Sequence, residues 1–247
     1  MTHKLWHRLE ASSRRIEIVT LLLGLAASAI ALGSLHAAAG YKELFSELQA
    51  SAATTRAQAG DVLFALVTKS LFIERPASAD AAPDGRLLAA TPVKVLKVDG
   101  DWLQIELSGW QQQGAERAIY AKQGQRILAA ALGPPAVEKV RQGQSVTDQS
   151  TDQVWTPATL TAWTKNDNLV SDVNKVWGYC EQMYNAACGT CHPAHPTTHF
   201  LANQWISTLN GMRPRTSLDD EEARILQKYL QMHAKDSASA SDGQTKP

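Results

Sequence analysis

The string Cys188-Gly-Thr-Cys191-His192 constrains this chain more than any other feature, because it uses two of only 3 cysteines among 247 residues. Three thiols are too few for a disulfide-built scaffold, so the fold must rest on a hydrophobic core and on what this string holds. Cys-x-x-Cys-His is the attachment pattern of c-type haem. Two thiols about one helical turn apart can each form a thioether with a haem vinyl group, and the imidazole of His192 then faces the iron as proximal ligand. A thiol redox pair does not require the histidine. A zinc site would need two further ligands, and there is no second cysteine pair. Cys180 stands outside the string and reads as a small buried residue. One covalently bound haem c, held by Cys188, Cys191 and His192, is therefore expected.

The iron's sixth ligand is less constrained. Met212 follows an apolar segment holding Trp205 and Leu209, in a Gly211-Met-Arg-Pro-Arg loop suited to presenting a thioether. His195 and His199 lie close to the motif, His233 sits on the final helix, and an open site is a further alternative. Leu169, Val173, Val176, Trp177, Cys180 and Tyr184 recur at helical spacing and lead into the motif. A second helix is predicted after Ser217, with Asp220 completing a capping box and Asp219, Glu221 and Glu222 crowding the first turn. That acidic cluster reads as a solvated helix start. The helix's apolar face is Ile225, Leu226, Tyr229, Leu230 and His233.

Lys+Arg and Asp+Glu are both 24, and this zero balance argues against a nucleic-acid partner, which needs an excess of cations. Hydrophobic residues at 44% can supply a core, which excludes wholesale disorder. Residues 1–17 carry Lys4, Arg8, Arg14 and Arg15, and 18–41 contain no Asp, Glu, Lys or Arg. A run of that length can cross a hydrocarbon core of about 30 Å as a helix. The sequence thus predicts a single-pass inner-membrane protein, its N-terminus cytoplasmic and its C-terminal domains periplasmic, in contact with the lipid bilayer through 18–41. Ala37-Ala38-Ala39 leaves a cleaved signal peptide as the rival reading.

After a stalk over 42–58, the period changes to that of strands. Val93, Val95 and Val98 precede Asp99-Gly100, a hairpin signal, and Leu103, Ile105 and Leu107 then alternate with Gln104 and Glu106. Short strands at Ala118-Ile119-Tyr120 and Ile127-Leu128 complete a small β domain over 59–132. Gly133-Pro134-Pro135 opens a polar linker over 133–154. Residues 155–236 read as an all-α domain, and 237–247 as a disordered tail.

Two resemblances attach to these residues. Thr91-Pro-Val-Lys-Val95 together with Gly100-Asp-Trp-Leu-Gln-Ile-Glu-Leu-Ser-Gly-Trp110 resembles a bacterial SH3-like barrel, with Trp102 and Trp110 as packing residues. Cys188–His192, Pro196-Thr-Thr-His-Phe200, Ala202-Asn-Gln-Trp205, Met212 and Leu226-Gln-Lys-Tyr-Leu-Gln231 resemble the C-terminal monohaem domain of TorC-type cytochromes, which serve trimethylamine-N-oxide reductase. This second resemblance covers about 155–236. It implies a domain that passes electrons from a quinol-oxidising tetrahaem module to a periplasmic molybdenum enzyme. The tetrahaem module would need four further Cys-x-x-Cys-His motifs, and this chain has none.

The expected architecture is thus multidomain: a transmembrane helix, a small SH3-like β-barrel and a C-terminal all-α cytochrome c domain. The expected role is non-enzymatic. Single electrons would come from a membrane quinol dehydrogenase or another cytochrome and go to a periplasmic molybdopterin S- or N-oxide reductase. The alternative is a haem-based redox or ligand sensor acting through the SH3-like domain. A haem enzyme is disfavoured because no distal acid–base pair stands out.

Overall fold

Helix α1, over 40–54, opens the part of the chain that the computed structural model describes, which is residues 40–78 and 80–238. Its buried face is Tyr41, Leu48 and Ala52, with Leu44 and Phe45 packed beside them. The Tyr41 and Phe45 rings lie 6.1 and 5.2 Å from that of Tyr179. The span expected over 18–41 lies outside the described residues except for its last two, of which Tyr41 is a core residue, 3% exposed. Among the described residues no helix is long and apolar enough to cross a membrane. That finding stands against the expected single-pass helix and the inner-membrane placement built on it.

Eleven strands follow in one antiparallel sheet: β1 (Val62–Ala65), β2 (Lys69–Leu71), β3 (Gly85–Leu87), β4 (Pro92–Asp99), β5 (Trp102–Gln112), β6 (Ala118–Lys122), β7 (Gln125–Leu132), β8 (Arg141–Gln142), β9 (Val146–Thr147), β10 (Val154–Lys165) and β11 (Leu169–Val170). A short helix, α2 (Pro134–Val137), interrupts them. The hairpin at Asp99-Gly100 forms as its sequence predicts, with Asp99 opposite Trp102 and Gly100 at a φ of 60°. Leu103, Ile105 and Leu107 alternate into the core.

The fold class differs from the expected one in two respects. First, residues 59–132 are not a self-contained SH3-like barrel. Strand β5 is paired along one edge by β4 and β6, and along its whole other edge by β10, from Trp155 opposite Gln112 to Lys165 opposite Trp102. A Phe72–Trp163 bridge then joins the end of β2 to β10, curling the sheet into a half-barrel that runs from residue 62 to 170. Second, the segment from Trp155 is not all-α. Ala158, Leu160, Ala162 and Thr164 point inward while Thr159, Thr161 and Trp163 are less buried, which is the period of a strand. Leu169, assigned above to a helix face, pairs with Ala65 in the sheet.

Helices α3 (Val173–Cys188), α4 (Ala202–Met212), α5 (Asp220–Met232) and α6 (Lys235–Ala238) complete the described chain. They share a core with the sheet: Leu66, Ala89, Ile127 and Val170 pack with Val176, Met183, Trp205 and Leu226. Polar contacts pin the same junction. Asn203 Oδ1 accepts from the Arg126 amide at 2.7 Å, and its Nδ2 donates to the Gly124 carbonyl at 3.1 Å. Ser237, at the start of the expected tail, is buried and donates to Gln125 Oε1.

Candidate functional site

Helix α3 delivers the motif. Asp172 caps its start by accepting from the Asn174 amide at 2.9 Å, and Val176, Tyr179, Cys180, Met183 and Tyr184 form one buried stripe at helical spacing. Cys188 is its last residue, and Cys191 and His192 lie in the turn beyond. The turn begins at Gly189, whose amide donates to the Asn185 carbonyl at 3.0 Å. A Cβ there would stand 2.5 Å from that same oxygen, so this backbone path requires glycine. Burial pushes the thiol of Cys188 upward, and that of Cys180 much further.

The imidazole of His192 is oriented from its own chain. Its Nδ1 lies 2.9 Å from the Pro193 carbonyl. A carbonyl only accepts, so Nδ1 is the donor, and in the neutral ring Nε2 then keeps its lone pair for a ligand. The loop after it is clamped at two points. Tyr184 Oη donates to the His195 carbonyl at 2.9 Å, and Trp205 Nε1 donates to the Thr197 carbonyl at 2.8 Å. Phe200 closes the clamp with its ring edge-on to Trp205 at 4.9 Å.

These elements enclose a cavity of about 370 Å³. Cys188, Cys191 and His192 border it from one side, Trp205, Leu209 and Met212 from α4, and Leu230 from α5. Of the four side chains considered as sixth ligand, Met212 and His195 border this space, and His199 and His233 do not. His199 stacks on His195, ring centres 4.7 Å apart. His233 packs edge-on to Trp177 at 5.4 Å, with its Nδ1 2.8 Å from the Tyr229 carbonyl. Met212 is not in a loop: it ends α4, and a 3₁₀ turn over Arg213–Arg215 follows. Met212 is 44% exposed.

The cap of α5 is also shifted from its expected place. Asp219, not Ser217, accepts from the amides of Glu221 and Glu222, and Glu222 reaches back to the Asp219 amide. Sequence reasoning named Tyr184 on the helix face leading into the motif, Phe200 within a resemblance and Arg215 as the end of the Gly-Met-Arg-Pro-Arg string, without giving any of the three its own role at the site; the cavity brings all three together.

An apolar cleft between helices, bordered by two thiols three residues apart and by an imidazole with a free Nε2, fits the ring, vinyl groups and iron of a haem. Among the described residues no three His, Cys, Asp or Glu side chains are grouped to hold a metal ion, so the thiol pair lacks the further ligands that zinc needs. This arrangement matches what the site of a c-type cytochrome requires.

Comparison with known proteins narrows the class. Residues 57–169 match the family described as the TorC third cytochrome c domain, and 184–247 match the family described as dihaem cytochrome c. The chain is 40% identical over 208 residues to the cytochrome c-type protein TorC of Escherichia coli strain K12, covering 84% of this chain and 52% of that protein. It is 36% identical over 162 residues to the cytochrome c-type protein TorY of Haemophilus influenzae, covering 66% of this chain and 44% of that protein. The chain thus spans about half the length of the curated relatives it matches. No solved structure matches. Both matched families are cytochrome c families, and the matched relatives are cytochromes c of the TorC/TorY type.

Proposed function

We propose that this chain is a one-electron carrier with a single haem c. It takes electrons from a quinol-oxidising donor, a quinol dehydrogenase or another cytochrome, and delivers them to a molybdenum S- or N-oxide reductase of the trimethylamine-N-oxide type. One observation carries the reading: Cys188, Cys191, His192 and Met212 border the same apolar cavity. The partners follow from the resemblance and from the names of the relatives.

Haem iron would supply a ferric–ferrous couple that holds one electron. The chain's own residues do the rest. Cys188 and Cys191 would tether the ring by thioethers, and His192, oriented by Pro193, would offer Nε2 as the proximal ligand. Trp205, Leu209, Phe200 and Leu230 exclude water from one side. Met212 is the proposed sixth ligand, since its thioether stands on the cavity wall while the ring of His195 is stacked on His199. The count of one rests on the cysteines. The segment matching the TorC third cytochrome c domain contains none, and 184–247 contain only Cys188 and Cys191.

The test is an intact mass and an optical spectrum of protein made alongside a c-type maturation system. One haem should be attached, and it should be lost on replacing Cys188 and Cys191 with alanine. The ferrous spectrum should ignore carbon monoxide until Met212→Ala opens the sixth position. If His195→Ala opens it instead, the ligand assignment is wrong. If the native chain binds carbon monoxide readily, ligand sensing replaces electron transfer as the better reading. A chain that leaves the maturation system without haem ends the proposal.

A further inference from the structure

A haem brings two carboxylates to its site along with its iron, and a carboxylate beside an apolar cavity needs a cation or hydrogen-bond donors. Beyond the imidazoles and thiols, the polar groups bordering the cavity belong to Tyr184, Trp205, Thr208, Arg215 and Thr216. The Tyr184 hydroxyl and the Trp205 N–H are spent on the His195 and Thr197 carbonyls, and both threonine hydroxyls are engaged too. Thr208 Oγ1 donates to the Gln204 carbonyl at 3.0 Å, and Thr216 Oγ1 donates to the Arg213 carbonyl at 2.9 Å.

Arg215 differs. A guanidinium has five N–H donors, and here one nitrogen, Nη1, donates to the Gly211 carbonyl at 3.0 Å. Among the described residues no carboxylate pairs with it. Its neighbours are otherwise placed: Arg213 pairs with Asp220, and Arg224 pairs with Glu221 at 3.1 Å and with Asp220 at 3.8 Å. The bond to Gly211 ties the guanidinium to the last turn of α4, the turn that carries Met212. The chain therefore holds a tethered cation with spare donors at the rim of an apolar cavity.

We propose that Arg215 is the anchor for a haem propionate, a positioning residue that fixes the ring's orientation and holds its potential up. This rests on the haem reading above. A guanidinium forks onto a carboxylate with two parallel N–H donors, a geometry that an ammonium cannot reproduce. Its positive charge, at the rim of the cavity, would favour the ferrous form of a haem bound there. Removing it lowers the midpoint potential.

The experiment uses the full haem-loaded chain. Resonance Raman of the propionate-bending band and potentiometric titration are run on the native protein and on Arg215→Gln, Arg215→Lys and Arg213→Gln. Arg215→Gln is expected to shift the band and lower the potential. Arg215→Lys should keep most of the potential while still shifting the band, because charge survives and the fork does not. Arg213→Gln removes the same charge from a residue already paired and not bordering the cavity, and should move neither. Arg215 is exposed, so the substitutions spare the core. If Arg215→Gln leaves both readouts at native values on a fully haem-loaded protein, the anchor is refuted and the haem reading stands. If Arg213→Gln shifts both equally, the effect is diffuse surface charge and the anchor is again refuted. If the native protein carries no covalent haem, the underlying reading has failed, and the anchor falls with it.

Discussion

Lys228 gives the sharpest test of how the helices sit on the sheet. It lies on α5 and is 5% exposed, beside a small cavity of about 70 Å³ also bordered by Leu88, Ala89 and Leu128. Its Nζ donates to Thr91 Oγ1, and Thr91 in turn donates to the Ala129 carbonyl at 3.1 Å. The other charged side chain bordering that cavity is a cation, Arg224. Among the described residues no carboxylate pairs with Lys228. Burial alone drives its amine from the ordinary 10.5 down to about 7. At about 1.4 kcal/mol per pH unit, keeping this amine in the fold at pH 7 costs ~4 kcal/mol. Replacing Lys228 with Met removes that cost and one hydrogen bond contributing about 1 kcal/mol, for a net gain of ~3 kcal/mol. The sign with pH follows from linkage. Between pH 7 and 10.5 the unfolded chain binds the proton that the fold rejects, so native stability rises with pH across that window. Lys228→Met should therefore show its full advantage at and below pH 7 and lose it toward pH 10. Guanidinium unfolding followed by circular dichroism at pH 6, 7, 8, 9 and 10 measures this. A variant less stable than the native protein at pH 7, or an advantage equal at pH 7 and 10, would refute the reasoning.

Two further predictions concern the fold. A Cβ at Gly109 would stand 2.4 Å from the Tyr120 carbonyl oxygen and 2.6 Å from Ile119 Cγ2. Gly109→Ala should therefore cost roughly 1–3 kcal/mol in unfolding free energy as β5 and β6 separate; a neutral result would mean that the two strands do not cross so closely. Asp219→Ala removes the cap of α5 and should lower the unfolding midpoint by an amount matching about 1 kcal/mol, whereas Ser217→Ala, outside the cap, should not.

What could be read from the sequence was what contiguous residues decide. Cys188, Cys191 and His192 stand out because thioether chemistry and an adjoining imidazole demand adjacent positions. The Asp99-Gly100 hairpin stands out because its turn and both its strands are local. Strand β10 did not, because its partner β5 lies about 50 residues earlier and Pro157 weakens its strand signal. Gly211 suggested a loop, yet α4 continues through it to Met212, held by packing on α5 and the sheet. Tyr41 read as the end of an apolar run, and only the ring of Tyr179 beside it reveals a core position.

The sequence by itself determined the proposed cofactor chemistry: two thiols and an imidazole at one turn's spacing carry the haem reading wherever the fold places them. Which other side chains meet that group was decided only by the tertiary structure. Met212 and His195 border the cavity while His199 and His233 do not, and Arg215 reaches its rim without a carboxylate partner among the described residues. Those placements depend on how α3, α4 and α5 pack against a sheet closed by β10. Long-range burial sets that packing, and no local spacing encodes it.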